Sequence, residues 1–565
     1  MILAHIYIAE HKALNDLNIP INGNFNCYYF NGLLRLGRQH DNRKFYGGFH
    51  CSALIGPNGV GKSSILEVLE MLEARTDSRA LVVFYDEQAD SYFICGVNMD
   101  VTDMEAVKAD SEYVFVVNNR LFLSRNKVNL VKVNNLPADD GLLTLSAVKS
   151  ARYVKELTVR ENVKSVKRRK QYFEKLIDYY TNGQSRDGFM EEVAFAFTFS
   201  GSPVSILVGA TNKAPLDSEE RIAKVNEWYK RRRPQVVFGD ETSYSLVFQS
   251  LLELNTLSLL SALAIDSGVA KKIMLPCLLA EFSEVDLQNE EGMSNSNLLR
   301  RMLERLSSNT IVSYLCKAAD LSASEVFRAV SNVESSMEEY FGVFNMIAET
   351  ICDHFFDGES LHLNRLTTTD YFAIESLTAL ISSLPDNIAA NMRWGWRGVS
   401  TGELARSHIF AEIYAFLKKS WFSNNIIVID EADLYLHPEW QRTFLYDLLH
   451  HLDNMRMYEN ISRPQVIICT HSPIIVSDFL PESIVSLRKD EYGQTVLAES
   501  FGFGNAIGDI YMSGMHLQST FGEHAKKILD RIIVDARQGN LSDEDYRLVQ
   551  KIPNNHVKNF LLSHD

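Results

Sequence analysis

Gly56-Pro57-Asn58-Gly59-Val60-Gly61-Lys62-Ser63 sets a lysine and a hydroxyl directly behind a glycine-rich turn. The pattern fits G-x-x-x-x-G-K-[ST], a loop that holds phosphate. Its glycines let the backbone curl so that N–H groups point at phosphate oxygens. Lys62 is spaced to reach the β- and γ-phosphates of a nucleotide such as ATP, and Ser63 to ligate Mg²⁺. Ser52-Ala53-Leu54-Ile55 before it reads as a short buried strand, and the stretch from Ser64 to Leu72 as a helix with an apolar face. The helix N-terminus adds partial positive charge where the phosphates would lie, with Ser64 in its first turn.

A second chemical centre lies far downstream. Asn425-Ile426-Ile427-Val428-Ile429-Asp430-Glu431 is an apolar strand ending in two acids, the Walker B pattern. Asp430 is placed to hold the Mg²⁺ bound at Ser63, directly or through water, and Glu431 to polarise an attacking water. Upstream, Ser400-Thr401-Gly402-Glu403 opens an apparent helix from Leu404 to Lys419. A serine at a helix start followed by glycine is an anion-binding geometry, and taken by itself it reads as an N-cap. Downstream, Val466-Ile467-Ile468-Cys469 is a further buried strand running into Thr470-His471-Ser472-Pro473. As the strand after a Walker B, it places His471 to contact the γ-phosphate and the attacking water.

These pieces occur in one order, and in that order the chain resembles the ABC-type ATPase heads of the SMC/RecF/OLD group. The resemblance implies that Ser400, Gly402 and Glu403 are the signature motif, with Thr401 in place of one signature glycine, and that they cap the γ-phosphate of ATP held by a second head. It also implies that Asp433 belongs to a D-loop and that His471 is the switch histidine. No glutamine falls at a recognisable Q-loop position; Gln88 is the nearest. Lys62 and Asp430 are separated by most of the chain, yet the interval holds a single long heptad stripe where SMC-like proteins carry coiled-coil arms. In this the chain is similar to the compact AAA-type ATPases of bacterial defence operons, the ATPases of Septu and of Septu-containing retron systems in particular. Phe45-Tyr46-Gly47-Gly48, the run from Asp430 to Pro438, and the tail segments Ser500 to Ile510 and Thr520 to Ala525 carry that likeness. It implies a separate HNH-type nuclease partner and, in a retron, a reverse transcriptase with its RNA–DNA hybrid.

The elements that must position these residues imply an α/β fold: a split ABC-like head with a mixed β-layer, a helical insertion and a short helical tail. Boundaries are expected at residues 1–245 for the N-terminal lobe, 246–390 for the insertion, 391–505 for the C-terminal lobe and 506–565 for the tail. Strands are expected at Ile6 to Ile8, Phe25 to Phe30, Ala80 to Tyr85, Tyr92 to Cys95 and Tyr113 to Val117, and a hairpin joining Val193 to Phe199 with Val204 to Val208. Helices are expected from Ser250 to Ala264 and Leu298 to Leu306, with a polar acidic loop over Ser283 to Asn297. Val326, Val330, Val333, Met337, Tyr340, Phe344, Ile347 and Ile351 alternate at spacings of four and three. That stripe suits a coiled coil or, preferably, the seam of a bundle, because no return strand of equal length is visible.

Hydrophobic content of 46% and charged content of 23% are those of an ordinary globular protein. No run approaches the ~18 apolar residues of a membrane span, and the N-terminus lacks a basic, cleavable leader, so the expectation is a cytoplasmic protein without a membrane partner. The seven cysteines are scattered without C-x-x-C pairs, which points to reduced thiols rather than zinc. A net charge of −16 argues against wholesale coating of nucleic acid. Two local basic runs remain: Lys164, Lys167, Arg168, Arg169 and Lys170, and Lys230, Arg231, Arg232 and Arg233, each with aromatics beside it. They suit DNA contact or a solvated helix face. The adjacent acids Asp543, Glu544 and Asp545 do not make a nuclease constellation, so no intrinsic nuclease is expected. Three functions stay open: a defence ATPase controlling a partner nuclease, acting as a homodimer through a head-to-head ATP sandwich; a RecF/SMC-like repair ATPase binding DNA directly; and a nucleotide-gated scaffold with negligible turnover.

Overall fold

The computed structural model describes residues 1–74, 76–134, 153–158, 166–182, 193–197, 244, 247, 248, 251, 255, 322–355, 366–459, 462–515, 517, 519 and 521–562. The chain divides into two compact units, Met1–Val159 with Ala405–Asp565, and Arg160–Leu404. The second unit therefore starts well ahead of residue 246, where the helical pattern of the sequence sets in.

The first unit opens with β1 (Ile2–His11), β2 (Leu14–Ile19), β3 (Tyr28–Phe30), β4 (Leu33–Leu36), β5 (Cys51–Ile55) and α1 (Lys62–Glu70). It continues through β6 (Arg79–Asp86), β7 (Ser91–Val97), β8 (Ala106–Ala109), β9 (Glu112–Val116), α2 (Asn119–Arg125), β10 (Val128–Asn134) and β11 (Val154–Thr158). The strand expected over Phe25 to Phe30 pairs regularly only at its end. Phe25 makes a lone bridge to Arg38, because the Asn22 side chain accepts from the Asn24 N–H and turns the chain there.

In the second unit the described elements are α3 (Val166–Asn182), β12 (Val193–Phe197), α4 (Ala323–Phe355), β13 (Leu366–Thr368), α5 (Tyr371–Ser383), α6 (Asp386–Ala389), β14 (Met392–Trp396) and the start of α7 (Thr401–Lys419). β12 is the centre of an antiparallel sheet ordered β13-β12-β14. Both edges of Val193 to Phe195 are thus taken by strands more than a hundred residues away in sequence; the hairpin partner expected at residues 204–208 lies outside the described residues. The heptad stripe lies on one continuous helix, α4. In its described half Phe344, Ile347 and Ile351 are buried, Tyr340 is half-buried, and α4 packs along α5. A seam inside the unit accounts for that half. The basic run at Lys230 to Arg233, the helices expected at 250–264 and 298–306 and the loop at 283–297 lie outside the described residues apart from isolated positions, and the run starting at Lys164 enters α3 at Val166.

The chain returns to the first unit within α7. It adds β15 (Asn424–Asp430), α8 (Pro438–Glu459), β16 (Gln465–Cys469), α9 (Pro473–Val476), β17 (Ile484–Lys489), β18 (Thr495–Ala498) and three tail helices, α10 (Glu523–Arg537), α11 (Asp543–Gln550) and α12 (Asn555–Leu562). A seven-stranded sheet runs β11-β10-β15-β16-β5-β17-β18, parallel throughout except for β18. Such strands are covered on both faces, which explains why β5, β15 and β16 read as unbroken apolar runs. A five-stranded sheet, β2-β1-β6-β7-β9, forms the N-terminal β-layer, and a small β3-β4-β8 sheet lies beyond it.

Alternation along β6 shows how the layers stack. Ala80, Val82 and Phe84 enter a core shared with α1 and the seven-stranded sheet, while Leu81, Val83 and Tyr85 enter a second core with β3 and β4 residues such as Leu34 and Leu36. Each fully buried aliphatic side chain contributes about 2 kcal/mol, so α1 is clamped firmly between two sheets. The tail helices close a small core of their own around Ile532, Val549 and Leu561. Asp545 is held there by Arg531 and by the Ser542 hydroxyl, so this acid serves an ion pair beside the cap of α11. Among the described residues no helix is long and apolar enough to cross a membrane.

Candidate functional site

Three neighbouring parallel strands, ordered β15-β16-β5, deliver their C-terminal ends to one place. Ligand sites of open α/β sheets form at such ends. β5 ends in the glycine loop, β15 in Asp430 and Glu431, and β16 in Cys469, Thr470 and His471. Together residues 58–64, Asp430, Glu431, Cys469, Thr470 and His471 line a cavity of about 300 Å³. Pairing of the His471 strand between the other two is what brings the distant motifs together.

The loop itself is held by exclusion. Gly56 has φ of 148°, and a Cβ there would meet the Leu487 carbonyl oxygen at 2.6 Å. Gly61 has φ of 106° and caps α1 without any side-chain hydrogen bond. No acidic side chain occupies the first turn of α1, so its N–H groups and partial positive charge face the cavity uncompensated. The Thr495 hydroxyl donates to the Val60 carbonyl at 2.7 Å and pins the loop from β18. Lys62 Nζ donates to the carbonyls of Gly56 at 2.8 Å and Pro57 at 3.3 Å and lies 3.0 Å from His471 Nε2.

The acids sit opposite. Burial raises the Asp430 carboxyl above its ordinary range, against the pull of Lys132 and Lys62. Burial likewise raises Glu431, and the neighbouring charges of Asp430 and Asp433 add to it. Glu431 holds φ of 51°, an uncommon left-handed conformation for a non-glycine residue. The adjacent Ala432 N–H is stitched to the Cys469 carbonyl at 3.1 Å. Burial lowers both Lys62 and His471, and Lys62 lowers His471 further. Among the described residues no group of three or more His, Cys, Asp or Glu side chains forms a metal site. A divalent ion held here would therefore share the Ser63 hydroxyl and the Asp430 carboxylate with oxygens of a bound phosphate, a hard-ligand set that suits Mg²⁺.

Asp433 has an internal task. Its Oδ1 accepts from the Thr470 hydroxyl at 2.5 Å and from the His471 N–H at 3.0 Å, orienting the histidine. Gln88 lies in the β6–β7 turn with its N–H on Asp86 and does not line the cavity. Thr495 and Lys132 carry no signal in the sequence, and Thr470 has no role assigned to it there. Thr470 is signalled by its place before His471; the other two become visible only through strand pairing.

Ser400, Gly402 and Glu403 belong to the second unit. The Ser400 N–H donates to Glu403 Oε2 at 2.7 Å, and Ser400 Oγ accepts from the Glu403 N–H at 3.2 Å. This is a reciprocal capping box at the start of α7. It leaves the N–H groups of Thr401 and Gly402 outside the box.

A family model described as an AAA ATPase domain matches residues 399–476, which span Ser400, Asp430, Glu431 and His471. Over 137 residues the chain is 28% identical to a protein named Retron Vc95 probable ATPase from Vibrio cholerae serotype O1 biovar El Tor, covering 24% of this chain and 25% of that protein. Over 100 residues it is 31% identical to the Septu protein PtuA of Bacillus thuringiensis, covering 17% of this chain and 23% of that one. The matches thus span about a quarter of each relative's length. In these stretches the chain resembles ABC/AAA-type ATPases of the PtuA kind.

Proposed function

We propose that this chain is an ATPase that binds ATP with Mg²⁺ in the cleft between the glycine loop and Asp430–Glu431. The observation that carries the reading is the convergence of residues 58–64, Asp430, Glu431 and His471 on one cavity at three adjacent strand ends. The uncapped start of α1 and the loop N–H groups take the phosphates. Lys62 exchanges the Gly56 and Pro57 carbonyls for phosphate oxygens. Ser63 and Asp430 would hold Mg²⁺, which would supply charge neutralisation at the phosphates. Glu431 accepts the proton of the attacking water, and its raised carboxyl suits it to that role. His471, oriented by Asp433, donates to or positions groups at the γ-phosphate end. Positioning and charge account for most of the rate.

In this reading the site is completed by a second copy, whose Ser400, Gly402 and Glu403 approach the γ-phosphate as a signature motif. ATP then drives a head-to-head homodimer, and the output is a change of assembly. The similarity to a retron ATPase and to a Septu protein supports placing the chain in cytoplasmic anti-phage defence, where it controls a separate HNH-type nuclease, in a retron together with a reverse transcriptase and its RNA–DNA hybrid. The test is Glu431→Gln. It should retain nucleotide, hydrolyse ATP at least ~100-fold more slowly, and elute as a dimer in ATP on size-exclusion chromatography. A Glu431→Gln protein that hydrolyses normally, or stays the same size with and without ATP, overturns the composite-site reading.

A further inference from the structure

A second cation, half-buried, lies in the sheet on the strand beside Asp430. Lys132 lies in the middle of β10, opposite Val428 of β15 on one side and Glu156 of β11 on the other, and Asn134 lies opposite Asp430. Lys132 and Asp430 therefore occupy the same face of the sheet two residues apart in register, with backbones about 8 Å apart. The Lys132 ammonium is paired to the carboxylate of Glu70, the last residue of α1, which is 5% exposed. Lys132 does not line the cavity, whereas Lys62 does. Phosphate can therefore draw Lys62 away from the acids but cannot discharge Lys132.

We propose that Lys132 is a positioning residue that sets how tightly the Asp430 site holds Mg²⁺. This rests on the reading of Asp430 and Ser63 as the protein's ligands to nucleotide-bound magnesium. Glu70 anchors the ammonium on the strand beside Asp430, where a fixed positive charge partly neutralises that carboxylate and repels the incoming ion. Burial works against the Lys132 charge, and Glu70, followed by Glu156 and Asp430, more than restores it. Screened as in bulk water, a unit charge about 8 Å away shifts the affinity for a divalent ion by about sixfold, and the weaker screening of a half-buried setting enlarges this. The same pair ties the far end of the phosphate-loop helix to the strand beside Asp430, so the two ligand-bearing elements keep their spacing as the ion enters and leaves.

The test is a Mg²⁺ titration of the full chain with a fluorescent, non-hydrolysable ATP analogue, reading the Mg²⁺ concentration at half-maximal binding. Lys132→Met with Glu70→Gln removes both charges and should lower that midpoint by about threefold or more. Glu70→Gln alone unmasks the lysine and should raise it by a similar factor. Lys132→Arg keeps the charge and should stay within about twofold of wild type. A purely structural brace would move the first two variants in the same direction, and that outcome, or no movement in either, overturns the proposal. If the double variant does not fold, the contrast between Glu70→Gln (raised) and Lys132→Arg (unchanged) decides it alone. A wild-type protein that binds the analogue without any dependence on Mg²⁺ removes the magnesium-site reading itself, a result distinct from coincident variant curves.

Discussion

Two helix starts look alike in sequence and differ in structure. α1 begins after Gly61, α7 after Ser400, and both follow a small-residue turn suited to an anion. At α1 the cap is a left-handed glycine with no side-chain bond and no acid in the first turn. At α7 the cap closes on itself through Ser400 and Glu403, and an acid occupies the first turn. An unsatisfied N-terminus is unstable by itself and is kept only where surrounding packing supports it. α1 has that support from two sheets and can leave its N–H groups for a ligand. The start of α7 satisfies its own polar groups, so any phosphate it meets must use the N–H groups of Thr401 and Gly402 or reopen the box.

This contrast can be broken or sharpened by substitution. Lys62→Ala removes the cation of the open site, and nucleotide binding should weaken at least ~100-fold in equilibrium titration, since a charge-assisted contact in a desolvated cleft is lost. Ser64→Asp would make the start of α1 resemble that of α7. It should weaken nucleotide binding ~10-fold or more while stabilising the nucleotide-free protein by about 0.5 kcal/mol in thermal melts, because an acid favours a helix N-terminus but repels phosphate. Ser400→Ala opens the α7 box and should cost about 1 kcal/mol of stability, whereas Glu403→Gln keeps a capping partner and should melt within about 0.3 kcal/mol of wild type. Binding of nucleotide by a single copy should be unchanged in both. Thr401→Gly restores the glycine of the signature pattern at an exposed position; a loss of about 0.5–1 kcal/mol in helix stability is expected, with any gain in turnover confined to conditions where dimers form.

The chemistry was legible because it is local. Glycines at fixed offsets before Lys62, and an apolar run ended by Asp430 and Glu431, each announce a loop or strand end without reference to the rest of the chain. Strands buried on both faces were legible for the same reason, as in β5, β15 and β16. β10 was less so: Val128–Asn134 interrupts its apolar residues with two asparagines and a lysine, so nothing marks it as the neighbour of β15. β12 pairs with residues 366–368 and 392–396, partners that no local pattern announces. Sequence proximity is a weak guide when a sheet edge elsewhere offers a better apolar fit.

What the sequence determined by itself was the list of parts: a phosphate loop, a pair of acids, a histidine after a buried strand, and a capped serine-led helix. Spacing along the chain encodes such parts because each depends on backbone conformation within a few residues. Tertiary structure alone decided that β16 lies between β15 and β5, that Asp433 is spent on orienting His471, that Thr495 holds the glycine loop, and that Lys132 is paired to Glu70 on the strand beside Asp430. Those outcomes depend on strand order and register, which are settled by burial summed over whole sheets, and no short window of the sequence contains that sum.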